Sequence, residues 1–267
     1  MNNLHRELAP ISSAAWAEIE EEASRSFKRN SAGRRLVDVD GPLGLDVDAV
    51  TVGHRGKIDS PGEGIIAYLR KAQPLVELKV PFTVSREAID NVDRGASDSD
   101  WDPVVNAAAE LAKAEDRAIF TGYSAADITG LTEIAPTTLS VPKDAKDFPD
   151  ALSDALSTLR LASVDGPYSL ALSAELYSLV SESVNDGYPI REHLKRILGS
   201  GEIIWAPAID GAVLISTRGG DFELTIGQDV SIGYDSHDAD SVSLYFTESF
   251  TYRTFSPEAA VPLRQRS

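Results

Sequence analysis

Residues 76–84 read Val-Glu-Leu-Lys-Val-Pro-Phe-Thr-Val, with an apolar side chain at every second position. This alternation is typical of a β-strand with one buried face and one solvated face. Pro81 interrupts the polar face and has no backbone N–H to donate. The stretch therefore predicts a strand at the edge of its sheet.

A second alternating stretch precedes this strand. Its apolar residues are Leu45, Val47, Val50 and Val52, with a phase slip at Ala49. Between the two stretches lies Ser-Pro-Gly-Glu-Gly at residues 60–64, whose glycines permit the positive φ angles of a turn.

Together these features predict a two-limbed arm over residues 45–84. A lone hairpin is marginal in water, so its apolar face needs another surface. Two interpretations are open: the arm docks on a second copy of the chain, or it packs on its own domain. The residues expected to make the inter-subunit contact are Val76, Leu78, Val80 and Phe82.

The composition is that of an ordinary soluble domain, with 42% hydrophobic and 25% charged residues in a chain of 267. The formal charge of −17 disfavours binding to nucleic acid. The absence of cysteine excludes disulfides and thiolate chemistry. We expect no membrane segment and no signal peptide, because no long apolar run is present and the first seven residues are mostly polar.

Two helices stand out. The first helix covers about residues 14–28 and follows a serine cap. It carries Trp16, Ile19, Ala23 and Phe27 on one face. The second begins at Asp102-Pro103, with Asp102 as the expected cap, and runs to Gly122 as the longest helix of the chain. We interpret it as a spine. The last dozen residues are expected to form a frayed tail.

A basic patch follows the first helix, with no acidic residue between positions 23 and 37. It contains Lys28, Arg29, Arg34 and Arg35. The patch is either a solvated loop or a docking site for a carboxylate-bearing partner.

No catalytic constellation is apparent. The chain lacks a Gly-x-Ser-x-Gly nucleophile elbow and a complete phosphate-binding loop. His237 lies among aspartates at residues 235–240, a setting more typical of a solvated loop than of a cation site. We therefore predict no catalytic residue, no metal and no cofactor.

Several motifs, in order along the chain, resemble the encapsulin shell proteins. One match is Arg-Gly-Gly-Asp-Phe at residues 218–222, followed by Ile226-Gly227-Gln228-Asp229, and it is the ordered set of motifs that is specific. Other matches are Trp16-x-x-Ile19, Gly33-Arg34-Arg35-x-Val37-Asp38-Val39-x-Gly41-Pro42, Pro74-Leu75-Val76, Ile89-Asp90-Asn91, Glu115-Asp116, Gly166-Pro167-Tyr168 and Gly187-Tyr188-Pro189.

This resemblance implies an α+β fold of the tailed-phage major capsid type (the Hong Kong phage type), with a peripheral domain, an axial domain and an extended loop. The expected divisions are as follows: residues 1–44 hold the N-terminal helix and the start of the peripheral domain, 45–84 the extended loop and its return strand, 85–129 the peripheral domain with its spine helix, 130–216 the axial domain, and 217–267 the peripheral return strands and the C-terminal tail.

The resemblance also implies a function: a homo-oligomeric icosahedral shell in the bacterial cytoplasm that encloses a cargo enzyme. The expected cargo is a dye-decolorising peroxidase or a ferritin-like protein, held by its C-terminal targeting peptide. The expected cargo-binding residues are Phe27, Arg34, Asp38 and Ile232. The expected vertex-pore residues are Asn185, Asp186, Gly187 and Tyr188.

Two alternatives are weighed against the shell. A prophage major capsid protein would share the fold but package DNA, and such proteins usually carry a scaffolding segment before the fold, which we do not expect here. A secreted bacteriocin or protease-like enzyme would need a signal peptide and a catalytic set.

Overall fold

The computed structural model describes residues 3–185 and 187–264. The helices of this part are α1 Ser13–Asn30, α2 Arg86–Asp93, α3 Asp102–Thr121, α4 Leu131–Ile134, α5 Phe148–Leu161, α6 Ala174–Glu182 and α7 Ile190–Leu198. The strands are β1 Asp38–Asp40, β2 Ala49–Ile58, β3 Ala67–Pro74, β4 Val76–Ser85, β5 Leu139–Ser140, β6 Tyr168–Leu172, β7 Val184–Asn185, β8 Tyr188–Pro189, β9 Ile203–Trp205, β10 Ala212–Ser216, β11 Phe222–Ile226, β12 Ser231–His237, β13 Ser241–Thr254 and β14 Ala260–Arg264.

The first sheet is built on β13, the longest strand in the described residues. β4 runs antiparallel along one edge of β13, while β12 and β11 pair in succession with its other edge. β1 extends the sheet as a parallel neighbour of β11. β4 pairs only with β13 in the described residues, so the edge position predicted from Pro81 is confirmed.

Helices α1 and α3 cover this sheet. The predicted apolar stripe of α1 faces inward, with Ile19 and Phe27 buried. Phe82 of β4 and Phe246 of β13 stack beneath the helices with ring centroids 4.8 Å apart. The helix begins as predicted, because the Ser12 hydroxyl oxygen accepts a hydrogen bond from the Ala15 N–H at 3.2 Å.

The described residues form two apolar cores, one between the first sheet and helices α1 and α3 and one around a second sheet. The second sheet has the order β5-β14-β10-β6-β9. Helices α5 and α7 pack on each other and against this core through Leu152, Leu156 and Leu194. β14 lies inside this sheet, antiparallel to β10, with Ala260–Leu263 buried. The predicted frayed tail is therefore wrong for residues 260–264, and these residues do not return to the first sheet.

Helix α3 joins the two cores, as expected of a spine. Its first turns, through Leu111, contact α1 and the first sheet, while Ile119 and Phe120 belong to the core of the second sheet. The helix starts one residue earlier than the predicted cap implies, with Trp101 at the N-cap position and Asp102 as the first helical residue.

An arm is present, but its strands differ from those predicted. β2 and β3 pair with each other from Ala49–Pro74 to Ile58–Ala67. Its ties to the body include the hydrogen bond from the Arg253 guanidinium to the Thr51 carbonyl, near the base. Large apolar side chains on the arm and its tip are exposed: Ile58, Ile65, Ile66, Tyr68 and Leu69.

The residues assigned to the inter-subunit contact do not lie on this arm. Val76, Leu78, Val80 and Phe82 belong to β4, whose apolar face packs into the cores of its own chain. Their placement on the arm is wrong, because β4 pairs with a distant strand rather than with the preceding limb.

Candidate functional site

A groove of about 550 Å³ runs between α1 and β12. The helix contributes Ala23, Ser24 and Phe27 to it, and the strand contributes Ser231 and Ile232. Phe246 of β13 also lines the groove, and the remaining lining residues are Leu4, Arg6, Glu20, Lys28, Ser31, Arg34, Arg35, Asp229 and Val230. The groove therefore combines an apolar floor with a charged rim.

Three of the four predicted cargo-binding residues meet here. Phe27 and Ile232 form part of the floor, and the Arg34 guanidinium lies over the Phe27 ring with its Cζ 4.8 Å from the ring centroid. Asp38 lies elsewhere. Its carboxylate accepts a hydrogen bond from the Gly220 N–H at 2.5 Å and lines a separate cavity of about 110 Å³. The grouping of Asp38 with the other three is wrong, because β1 carries it away from the groove.

Arg34 is engaged by carboxylates of its own chain. Its Nε and Nη2 donate to Glu115 at 2.9 and 2.6 Å, its Nη1 donates to Asp229 at 2.8 Å, and its Nη2 also reaches Glu248 at 3.1 Å. At Arg34, neither a solvated loop nor a docked partner carboxylate describes the basic patch, because carboxylates of the same chain already hold the guanidinium. The residue instead ties the turn after α1 to α3, to β13 and to the loop before β12.

This ion cluster contains more negative than positive charge. Glu115 and Glu248 are both fully buried, while Asp229 is half exposed. Burial raises the pKa of Glu248 well above its ordinary range, and the neighbouring Glu115 carboxylate raises it further. Burial opposes the charge of Arg34, but its hydrogen bonds to Glu115 and Asp229 outweigh that effect and hold its pKa above the ordinary value.

A second buried carboxylate fixes the same turn. Asp116 accepts hydrogen bonds from the backbone N–H groups of Ala32 at 2.9 Å and Gly33 at 2.8 Å. Burial raises the pKa of Asp116 to about 7, although the two N–H groups act in the opposite direction. A side chain at position 33 would force the buried Ile119 side chain to shift, since a Cβ there would lie 2.4 Å from its Cδ1 atom.

The rim cations are paired, with one exception. Arg6 lies 2.5 Å from Glu20, and Arg35 lies 2.5 Å from the Glu202 carboxylate. Lys28 is exposed and forms no ion pair within the described part of the chain. Of the basic patch predicted from the sequence, Arg34 and Arg35 are therefore neutralised, whereas Lys28 and Arg29 form no ion pair within the described residues.

The sequence alone did not predict the carboxylates that bind Arg34, or the one that binds the backbone of the turn at residues 32–33. The Glu115-Asp116 motif by itself does not predict that these two residues are buried. A signal was available, because both interrupt the apolar face of α3 between Leu111 and Ile119. Asp229 and Glu248 carry no such local signal.

Outside the groove, the expected pore residues occupy a short hairpin. β7 and β8 pair through Asn185 and Tyr188, and Gly187 has a φ of +82°, which glycine adopts without strain. Asp186 lies outside the described residues. The Tyr188 side chain is exposed, with its ring centroid 6.4 Å from that of His193.

In residues 3–185 and 187–264, no three His, Asp or Glu side chains are placed to hold a metal ion. His237 is instead bonded through Nδ1 to the Tyr234 hydroxyl at 2.6 Å. No helix in the same residues has both the length and the apolarity to cross a membrane.

The fold is that of phage capsid proteins. The virus-like particle from Pyrococcus furiosus has a TM-score of 0.65 at 20% identity, covering 93% of this chain and 99% of that one. The capsid protein of the Myoviridae phage XM1 has a TM-score of 0.54 at 11% identity, covering 86% and 90%. The predicted α+β fold of the phage capsid type is confirmed.

The sequence specifies the family within this class. Residues 1–251 match the family described as encapsulating protein for peroxidase. The type 1 encapsulin shell protein of Rhodococcus erythropolis is 61% identical over 264 residues, which cover 98% of this chain and 100% of the relative. The chain belongs to the encapsulin shell protein family, and it is a structural protein rather than an enzyme.

Proposed function

We propose that copies of this chain assemble in the bacterial cytoplasm into a closed icosahedral shell around a cargo protein. The groove between α1 and β12 would face the interior and hold the C-terminal targeting peptide of the cargo. The observation that carries this proposal is the groove itself, which presents Phe27 and Ile232 in a chain whose family is described as encapsulating a peroxidase. A dye-decolorising peroxidase is the first cargo to test, and a ferritin-like protein is the second.

The arm formed by β2 and β3 supports assembly. Ile66 and Leu69 are 67% and 62% exposed, and the arm offers them no core of its own. An exposed two-stranded hairpin with apolar side chains and open strand edges is marginal alone and gains stability against a neighbour. The arm is therefore the segment that we expect to cross to an adjacent copy, in place of β4.

The second sheet with α5, α6 and α7 would form the axial domain around the vertices. The β7–β8 hairpin would then surround the vertex pore, with Asn185 and Tyr188 facing solutes. Its exposed apolar residue Val184 is 63% accessible in the single chain and would be covered by the neighbouring hairpin.

Electron microscopy and mass spectrometry of the purified full-length protein test the proposal. We expect uniform hollow particles that retain a host protein. Co-expression with the candidate peroxidase should enrich the particles in that peroxidase. A solution of monomers of 28.7 kDa would contradict assembly. Particles filled with DNA would instead favour a prophage capsid.

A further inference from the structure

The segment that precedes α1 connects the two walls of the groove. Leu4 and Arg6 both line the groove. On the strand side, the backbone N–H of Tyr234 donates to the Leu4 carbonyl at 2.8 Å. On the helix side, the Arg6 guanidinium donates to the Glu20 carboxylate at 2.5 Å. Residues 4–8, which we call the N-terminal strap, therefore bridge from β12 to α1.

The N-terminal strap lies at one end of the groove. Glu20 is the first residue of α1 in the groove lining, and Tyr234 lies two residues beyond Ile232, the last lining residue of β12. The strap contacts both Glu20 and Tyr234. Ser31 and Asp229 line the groove at the other end of the two elements. The strap therefore closes the end of the groove between Glu20 and Tyr234.

The N-terminal strap is fixed to the subunit at its C-terminal side. Ile11 packs against the core of the first sheet, and the Ser12 hydroxyl caps α1. Leu8, at the end of the strap, is 62% exposed and is not part of that core. Rotation about residues 9–11 would thus lift the strap from the groove while α1 and the core remain in place.

The contacts of Arg6 are of a kind that breaks without unfolding of the sheet. Its guanidinium lies over the Trp16 ring, with Cζ 4.1 Å from the ring centroid, and pairs with Glu20, whose side chain is 52% exposed. Exposed contacts of both types contribute little stability. His5 has a φ of +50°, a left-handed conformation that is unfavourable for a residue with a Cβ. Opening of the strap would release this strain, so it costs less than global unfolding.

The N-terminal strap and an occupant of the groove need the same space. Leu4 forms part of the groove lining, and its carbonyl already accepts the Tyr234 N–H. A segment that runs along the floor past Ile232 meets Leu4 before it reaches Tyr234. This end of the groove is therefore available only when the strap is open.

We infer that the N-terminal strap is an internal competitor of the groove, which closes the end at Tyr234, opens locally and is displaced by the occupant. This inference rests on the proposed function, for which it specifies a regulation of the same site. Opening of the strap adds to the free energy that the occupant has to supply on binding.

Amide hydrogen exchange of the purified full-length protein, read by mass spectrometry with residue-level fragmentation, tests the opening. The Tyr234 N–H is bonded to the strap, whereas the N–H of Gly233 points to β13, since neighbouring residues of a strand face opposite edges. Arg6→Ala should accelerate exchange at Tyr234 about tenfold and at Gly233 less than twofold. Glu7→Ala, an exposed strap position outside the groove lining, should change neither. Equal acceleration at both amides, or none at Tyr234, would overturn the inference.

Single thiols show which end of the groove opens, because the chain has no cysteine. Ala23→Cys places a thiol one helical turn from Glu20, and Ser31→Cys places one at the other end; both positions are buried and line the groove. When Arg6→Ala is added, N-ethylmaleimide should react about tenfold faster at position 23 and less than twofold faster at position 31. Equal acceleration at both positions would overturn a strap that closes one end.

Co-expression with a limiting amount of the candidate peroxidase tests the competition. Shells of Arg6→Ala should retain about threefold more cargo per subunit than wild-type shells, and Glu7→Ala shells should match the wild type. Equal or lower retention by Arg6→Ala would overturn the competition and leave the proposed function intact. If wild-type and Arg6→Ala shells both retained no cargo, the cargo-binding part of the proposed function would fail and the competition with it, while hydrogen exchange would still decide whether the strap opens.

Discussion

The Arg34 guanidinium and the Glu115 carboxylate form three hydrogen bonds of 2.6–2.9 Å, and no part of the Glu115 side chain is exposed. The two residues lie 81 positions apart in the sequence, on the turn after α1 and on α3. Because a buried carboxylate without a cation is costly, this pair fixes the wall of the groove to the spine helix.

Arg34→Ala should therefore destabilise the chain strongly. Removing one partner of a buried ion pair leaves the remaining charges uncompensated and costs about 3–5 kcal/mol. Arg34→Lys should recover only part of this loss, because an ammonium cannot reproduce the two-pronged contact with Glu115. The free energy of unfolding, measured by denaturant titration, checks both expectations.

Arg35→Ala is the matched control for that prediction. Its pair with Glu202 is exposed on both sides, at 52% and 61%, and such pairs contribute about 0–1 kcal/mol. If Arg34→Ala were no more destabilising than Arg35→Ala, the buried cluster would not stabilise the turn.

Stability should also depend on pH through Asp116. Its pKa is about 7 in the folded chain against an ordinary value of 3.8, so the folded state holds the proton more tightly. The resulting stabilisation is fully present below pH 3.8 and is lost as the pH rises through 7. Glu248, whose pKa burial also raises, acts in the same direction.

We expect the thermal midpoint of the wild-type chain to fall by several degrees between pH 5 and pH 8. Asp116→Asn removes this titration, so its midpoint should change less over the same range. The variant also loses an acceptor for one of the Ala32 and Gly33 N–H groups, which lowers its stability at every pH. The slope, and not the absolute midpoint, is therefore the readout; parallel curves would exclude Asp116 as a titrating group.

Local sequence signals predicted the elements well and their long-range pairing poorly. The alternation of residues 76–84 identified β4 and Pro81 placed it at an edge, since both signals depend on neighbouring residues. Its partner β13 lies far along the chain, and a nearer apolar stretch offered a simpler hairpin. The same limit applied to the groove: helical spacing identified Phe27, whereas the Arg34 contacts to Asp229 and Glu248 span 195 and 214 residues.

The corrected arm changes which variants should block assembly. Ile66→Asp combined with Leu69→Asp should abolish particles but leave a folded subunit, because both side chains are exposed in the single chain. Leu78→Asp should instead unfold the subunit, since Leu78 packs against both cores and pairs with the buried Glu248 across the strands. Light scattering measures particles and circular dichroism measures folding; intact particles from the arm variant would contradict the role of the arm.

Cargo loading should require that the groove between α1 and β12 be empty enough to admit the cargo peptide. A bulky side chain that fills the groove should therefore block loading even when the buried core is unchanged. Ser24 is exposed on α1 and lines the groove, so Ser24→Trp would fill the space beside Phe27 without disturbing buried packing. We expect shells of normal size that retain less than a tenth of the co-expressed cargo, measured by mass spectrometry. Glu21→Trp, at an exposed position of the same helix outside the groove lining, should load normally. Normal loading of the Ser24 variant would place the cargo site elsewhere on the inner surface.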